Sequence, residues 1–172
     1  MTTSVSSGLP LSTRLYELPS GVNGQFSKAF GELTRSRARG NRILTDTSPT
    51  NVQIAGPVVK LGRNVFVVFM RRNHADNTLR CLQKSYKSAN AHAYNVDECR
   101  RVLAWHDDVA DRWCERLPGR SMTVDYEALV EDPNAIVERL SQAIGVASER
   151  LVNPIAGDRG CAKPFEKFLA KG

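Results

Sequence analysis

Six consecutive apolar residues, 65–70, predict a strand buried on both faces, as in a parallel sheet covered by helices. Downstream, Leu79, Leu82 and Tyr86 fall on one helical face, and the polar stretch 88–95 ends that helix. Cys99, Val102, Leu103, His106, Val109, Ala110, Trp113 and Leu117 then keep a 3.6-residue period until Pro118 and Gly119 stop it. Met122, Val124 and Tyr126 alternate with polar neighbours, which predicts a half-buried strand. Asp132-Pro133 opens a further helix carrying Ile136, Val137, Leu140 and Ile144, with Gly145 as its C-terminal cap.

The region before residue 65 is patterned more weakly. Residues 1–13 are rich in Ser, Thr and Gly and are expected to be loose, whereas Phe26, Phe30 and Leu33 recur at helical spacing. Residues 42–44 form a brief strand candidate ending at Thr45-Asp46, Ser48-Pro49-Thr50-Asn51 breaks it, and 52–61 suit a short helix closed by Gly62. Strands separated by helices, with no tight hairpin signal, predict an α/β fold in a single domain over residues 1–172.

Composition narrows the chemistry. With 41% hydrophobic and 24% charged residues, 172 residues suffice for one real core. No apolar stretch approaches the roughly 20 residues needed to cross a bilayer. The first residues lack the charged and apolar regions of a signal peptide, so the expectation is a cytoplasmic protein without membrane contact. Cys81, Cys99, Cys114 and Cys161 are widely spaced, which predicts reduced thiols and no metal site. The net charge of +6 suits an anionic ligand without choosing among a nucleotide, a nucleic acid and an acidic peptide.

The charge is more informative where it clusters. Arg35, Arg37, Arg39 and Arg42 surround Gly40 with no interleaved aromatics, the pattern of a solvated loop rather than of a nucleic-acid module. Arg71, Arg72, Arg80, Lys84 and Lys87 instead bracket the junction where the apolar strand meets the next helix. There Arg72 can sit at the strand's end while Asp76 falls at the helix N-cap. A guanidinium fork beside a helix N-terminus matches phosphate oxygens. A strand ending in arginines is equally the mark of a sheet meeting water.

The order of these pieces resembles the sulfotransferase family, most closely its bacterial-type members. Thr45-Asp46, Pro49-Thr50-Asn51, Arg72 with Asp76, the helix ending Trp113-Cys-Glu-Arg-Leu-Pro-Gly119, and Asp125-Tyr-Glu-Ala-Leu-Val-Glu-Asp-Pro133 correspond to family segments in the right order, strongest over 42–146. The resemblance implies a P-loop-like α/β fold, with 3′-phosphoadenosine 5′-phosphosulfate as co-substrate and its sulfuryl group moved to an acceptor hydroxyl or amine. Arg72 matches the arginine that grips the donor's 3′-phosphate. Arg80 stands where a serine normally shares that phosphate, and either reaches the anion or is a surface arginine. Tyr126 matches a tyrosine near the nucleotide and is also a natural core residue.

Departures from the family pattern matter as much. The Gly-rich loop that cradles the 5′-phosphosulfate has only a faint counterpart in Leu18-Pro19-Ser20-Gly21-Val22-Asn23-Gly24, which reads as a turn, so the fold is expected to be incomplete at its N-terminus. Thr47 replaces the lysine that follows Thr-Asp, and no general base is evident among His74, His92 and His106. His74 can at most add a ring nitrogen to the phosphate site, and Glu127 suits a hydrogen bond that fixes its turn. The alternative to an enzyme is a non-catalytic remnant binding a nucleotide or a protein. A sheet lacking a strand would expose an edge able to pair with a second chain.

Overall fold

The computed structural model describes residues 28, 31–32, 43–47, 51–61, 64–84, 86, 90–152, 157 and 159–170. In chain order the elements are α1 (Asn51–Leu61), β1 (Val67–Arg71), α2 (His74–Gln83), a 3-10 turn (Ala91–Tyr94), α3 (Val96–Arg116), β2 (Ser121–Asp125), α4 (Tyr126–Glu131), α5 (Pro133–Ile144), a second 3-10 turn (Lys163–Phe165) and α6 (Glu166–Leu169). β1 and β2 pair as a parallel two-stranded sheet flanked by helices, an α/β architecture of the P-loop-like kind. A parallel pair needs a crossover, and α2 and α3 supply it.

Two compact units divide the chain: residues 1–67 with 109–121, and residues 68–108 with 122–172. In the first, Ala55 and Val59 of α1 and Val109, Ala110, Trp113 and Leu117 are buried. The Trp113 indole N–H donates to the Val52 carbonyl at 3.1 Å. Gly56 lies so close beneath the Trp113 ring that a Cβ would overlap it. Arg120 closes this unit by donating from Nη2 to the Val65 carbonyl at 3.2 Å, while its own carbonyl accepts the Val67 N–H at 3.0 Å.

The second unit holds the sheet and α2, α4, α5 and α6. Leu79 of α2 packs with Ala162 and Leu169, and Leu82, Val96 and Cys161 lie against them. Helix ends follow local chemistry. Asp132 accepts the Ala135 N–H at 3.0 Å with Pro133 in the first turn, and Gly145 ends α5 at φ 71°, where a Cβ would be strained.

Several expectations need correcting. The strand runs over Val67–Arg71, and Met70 is 53% exposed, so only one face is buried. Val68, on the same face as Met70, is half-buried, whereas Phe69 on the opposite face is buried. Tyr126 is not in the second strand but opens α4, where Glu127 in the first turn favours helix over a longer strand. Ile43 and Leu44 are exposed coil rather than strand, and α2 stops at Gln83, before Tyr86. Of the early helical pattern, Phe26, Phe30 and Leu33 lie outside the described residues, as do Arg35, Arg37, Arg39, Arg42 and the stretch 18–24.

Candidate functional site

Strand alternation separates the two arginines at the end of β1. Arg71 turns to α3, donating from Nη2 to the Asp107 carbonyl at 3.0 Å, with its Nε 3.5 Å from the Asp107 carboxylate. Arg72 turns the other way and lays its guanidinium over the Tyr126 ring, 4.5 Å from the centroid. Such stacking contributes about 0.5–2 kcal/mol and holds a flexible side chain in one orientation. Two of the residues nominated from sequence thus meet at the carboxyl end of a parallel strand, where open α/β sheets bind ligands.

The turn between β1 and α2 is braced from three sides. Asn73, not Asp76, caps α2: its Oδ1 accepts the N–H groups of Ala75 at 3.0 Å and Asp76 at 3.2 Å. The correction is geometric, because Asp76 lies inside the first helical turn and cannot reach back to cap it. The Asn73 N–H in turn donates to Glu127 Oε1 at 2.9 Å, so Glu127 fixes the turn from α4. His74 does not point toward Arg72's partners; its Nε2 lies 2.7 Å from Asp107 Oδ2, on the carboxylate that Arg71 also faces.

Asp76, only 2% exposed, carries a connection that sequence reading missed. Its two oxygens accept the N–H of Gly160 at 2.6 Å and of Ala162 at 2.7 Å, fastening the segment before α6 over the start of α2. Burial alone would raise this carboxyl. The two backbone donors, the Cys161 thiol and the Arg72 guanidinium outweigh it and hold the group below its ordinary value. Between these anchors Cys161 closes over Arg72: its Sγ lies 3.8 Å from Arg72 Nη2, and its thiol faces the Asp76 carbonyl at 3.9 Å. Spacing gave no hint of the clasp, since 84 residues separate Asp76 from Gly160.

A cleft of about 230 Å³ opens here, lined by Asn73, Asp76, Glu127, Gly160, Lys163 and Glu166 among others. Two of its three carboxylates are engaged by backbone N–H groups, and Lys163 is its one cationic side chain among these lining residues. Gly157 approaches the wall of Tyr126 closely: a Cβ there would come within 2.7 Å of the Tyr126 hydroxyl. Arg80 is placed elsewhere, exposed in the last turn of α2 with Nη1 3.4 Å from Gln83 Oε1. Thr47 is exposed coil. His106 lies half-buried on α3 with its ring edge-on to Trp105, centroids 4.8 Å apart, and burial pushes its imidazole below its ordinary value. No cluster of potential metal ligands occurs among the described residues.

A family model described as sulfotransferase family matches residues 13–150, beginning upstream of the segments quoted above and taking in 18–24. A protein of Aquifex aeolicus (strain VF5), described as an uncharacterized protein, is 22% identical over 100 residues, covering 56% of this chain and 13% of that protein. This chain therefore spans a small part of that relative's length. No solved structure matches the chain. With a family match over most of its length and the parallel α/β core in place, the chain belongs to the sulfotransferase family.

Proposed function

We propose that the chain binds the 3′-phosphorylated adenosine nucleotide of sulfuryl transfer and moves the sulfuryl group of 3′-phosphoadenosine 5′-phosphosulfate to an acceptor hydroxyl or amine. The observation that carries this reading is the Arg72 guanidinium at the end of β1, stacked on Tyr126. The donor set fits a phosphate. Arg72 offers paired N–H groups, its thiol neighbour is a weak acceptor that a phosphate oxygen outcompetes, and Lys163 adds an ammonium to the adjoining cleft. Arg80, exposed against Gln83, enters only as a surface charge.

In the reaction so proposed, an acceptor lone pair forms a bond to sulfur as the bond from sulfur to the 5′-phosphate oxygen breaks. Adenosine 3′,5′-bisphosphate leaves, and the acceptor proton passes to a base. Arg72 holds the nucleotide by the phosphate that does not react, so it contributes to ground and transition states alike and its loss should appear mainly in binding. Tyr126 orients the guanidinium, and Asp76 with Asn73 holds the turn that presents it.

Titration with adenosine 3′,5′-bisphosphate, followed by transfer assays from the sulfuryl donor to phenols, sugars and amines, tests the reading. Saturable binding with transfer supports it. Binding without transfer to any acceptor supports a non-catalytic nucleotide-binding member of the family, and absence of binding overturns both.

A further inference from the structure

The segment that Asp76 fastens goes on to present two phenylalanines to solvent. Its footing is firm. Lys163 and Phe165 donate their N–H groups to the Gly160 and Ala162 carbonyls at 3.2 and 2.8 Å, and the Ala170 N–H closes α6 on the Glu166 carbonyl at 2.9 Å. Leu169 is buried with Leu79 and Ala162, and Arg100 reaches from α3 to donate from Nη2 to the Leu169 carbonyl at 2.6 Å. On this held base Phe165 and Phe168 are 45% and 62% exposed, three residues apart, the spacing that brings side chains to one face. An isolated apolar side chain at a surface is ordinary, but two large rings on one fixed turn form a patch.

Charge says what the patch fits. Residues 159–172 carry Arg159, Lys163, Lys167 and Lys171 against the single acid Glu166. Arg159 is taken up by Glu131 at 3.1 Å, so the lysines supply the surplus, and Lys163 and Lys167 are exposed on either side of Phe165 in the chain. A second copy of this chain would set lysine against lysine across a two-fold contact. An anionic bilayer meets both features, because headgroup phosphates draw the ammonium groups while the rings enter the boundary beneath them. We propose that Phe165 and Phe168, with the ammonium groups of Lys163 and Lys167 beside them, dock the chain on the surface of an anionic membrane. Docking of this kind needs no spanning helix, and no helix among the described residues is long and apolar enough to cross a bilayer. The expectation of no membrane contact drew on spanning segments and signal peptides, neither of which bears on a surface patch.

Co-sedimentation of the full chain with vesicles tests this, one set holding equal parts of phosphatidylcholine and phosphatidylglycerol and the other phosphatidylcholine alone. The expected result is binding to the anionic set that weakens as salt is raised, and no binding to the neutral set. Changing Phe165→Ala and Phe168→Ala together keeps every charge, so a diffuse attraction of a chain of net charge +6 would survive it. Docking through the rings instead predicts a loss of roughly tenfold or more. Lys167→Gln should cost about fivefold; Lys163 also lines the cleft and is left unchanged. Phe168→Trp keeps an aromatic ring in place and gives a second reading, since its emission should shift to the blue, relative to the native chain, with the anionic vesicles. No binding to the anionic set, equal binding to both sets, undiminished binding by the double variant, or an unshifted Phe168→Trp emission overturns the proposal. So does a dimer of the native chain that the double variant abolishes in analytical ultracentrifugation, which would assign the patch to a second copy.

Discussion

Asp76 and Ala162 are joined by a 2.7 Å hydrogen bond from backbone N–H to carboxylate, with the Gly160 N–H on the other oxygen at 2.6 Å. One side chain from the first turn of α2 thereby organises the segment that closes over Arg72. Hydrogen bonds to a charged acceptor each contribute about 1.5–3 kcal/mol, more than an exposed ion pair supplies.

Replacing Asp76 by Ala removes both acceptors and is expected to destabilise the chain by about 3 kcal/mol in urea unfolding at neutral pH. The sign with pH follows from the lowered folded value of this carboxyl. Its stabilisation is fully present above the ordinary carboxylate value of 3.8 and is lost as pH falls through the lower folded value. The gap between the native chain and Asp76→Ala should therefore be constant through neutral pH and close in strong acid; a gap that persists undiminished there would contradict the clasp.

Gly56 and Trp113 set a second test in the other unit. Alanine in a helix interior ordinarily gains about 1 kcal/mol over glycine, but here the new Cβ would overlap the indole. The overlap should win, with Gly56→Ala destabilising by about 2 kcal/mol. Adding Trp113→Leu to Gly56→Ala should cost less than the two single changes summed, as urea melts of the four chains would show.

His106 predicts a pH dependence of opposite origin. Burial favours its neutral form, with His92 adding to the effect and Asp107 opposing it. Between the lowered folded value and the ordinary value of 6.5 the unfolded chain binds more protons, so stability should fall as pH drops below 6.5. In His106→Gln that slope should flatten, and a proton NMR titration should place the His106 transition below that of a free imidazole.

Much of the architecture was legible because it rests on local signals. The periodicity from Cys99 to Leu117, the stop at Pro118-Gly119 and the Asp132-Pro133 to Gly145 helix each depend on residues close in sequence, and each appears with nearly the expected bounds. Arg72 and Tyr126 were each nominated from family motifs, but nothing in the sequence signalled that they would stack on one another. Contacts between distant segments were illegible: an aspartate inside a helix start reads as a cap, and nothing in its neighbourhood points to Gly160 and Ala162. Likewise His74 and Arg71 share Asp107 only because α3 passes beside the turn, a tertiary fact with no short-range signature.

The most direct measurement is isothermal titration of the native chain and of Arg72→Ala with adenosine 3′,5′-bisphosphate and, separately, with adenosine 5′-phosphate. A charge-assisted contact of about 1.5–3 kcal/mol corresponds to roughly a 10- to 150-fold loss of affinity. The account predicts that loss for the bisphosphate and little change for the monophosphate. Equal weakening of both nucleotides, or unaltered binding of the bisphosphate to Arg72→Ala, would contradict it.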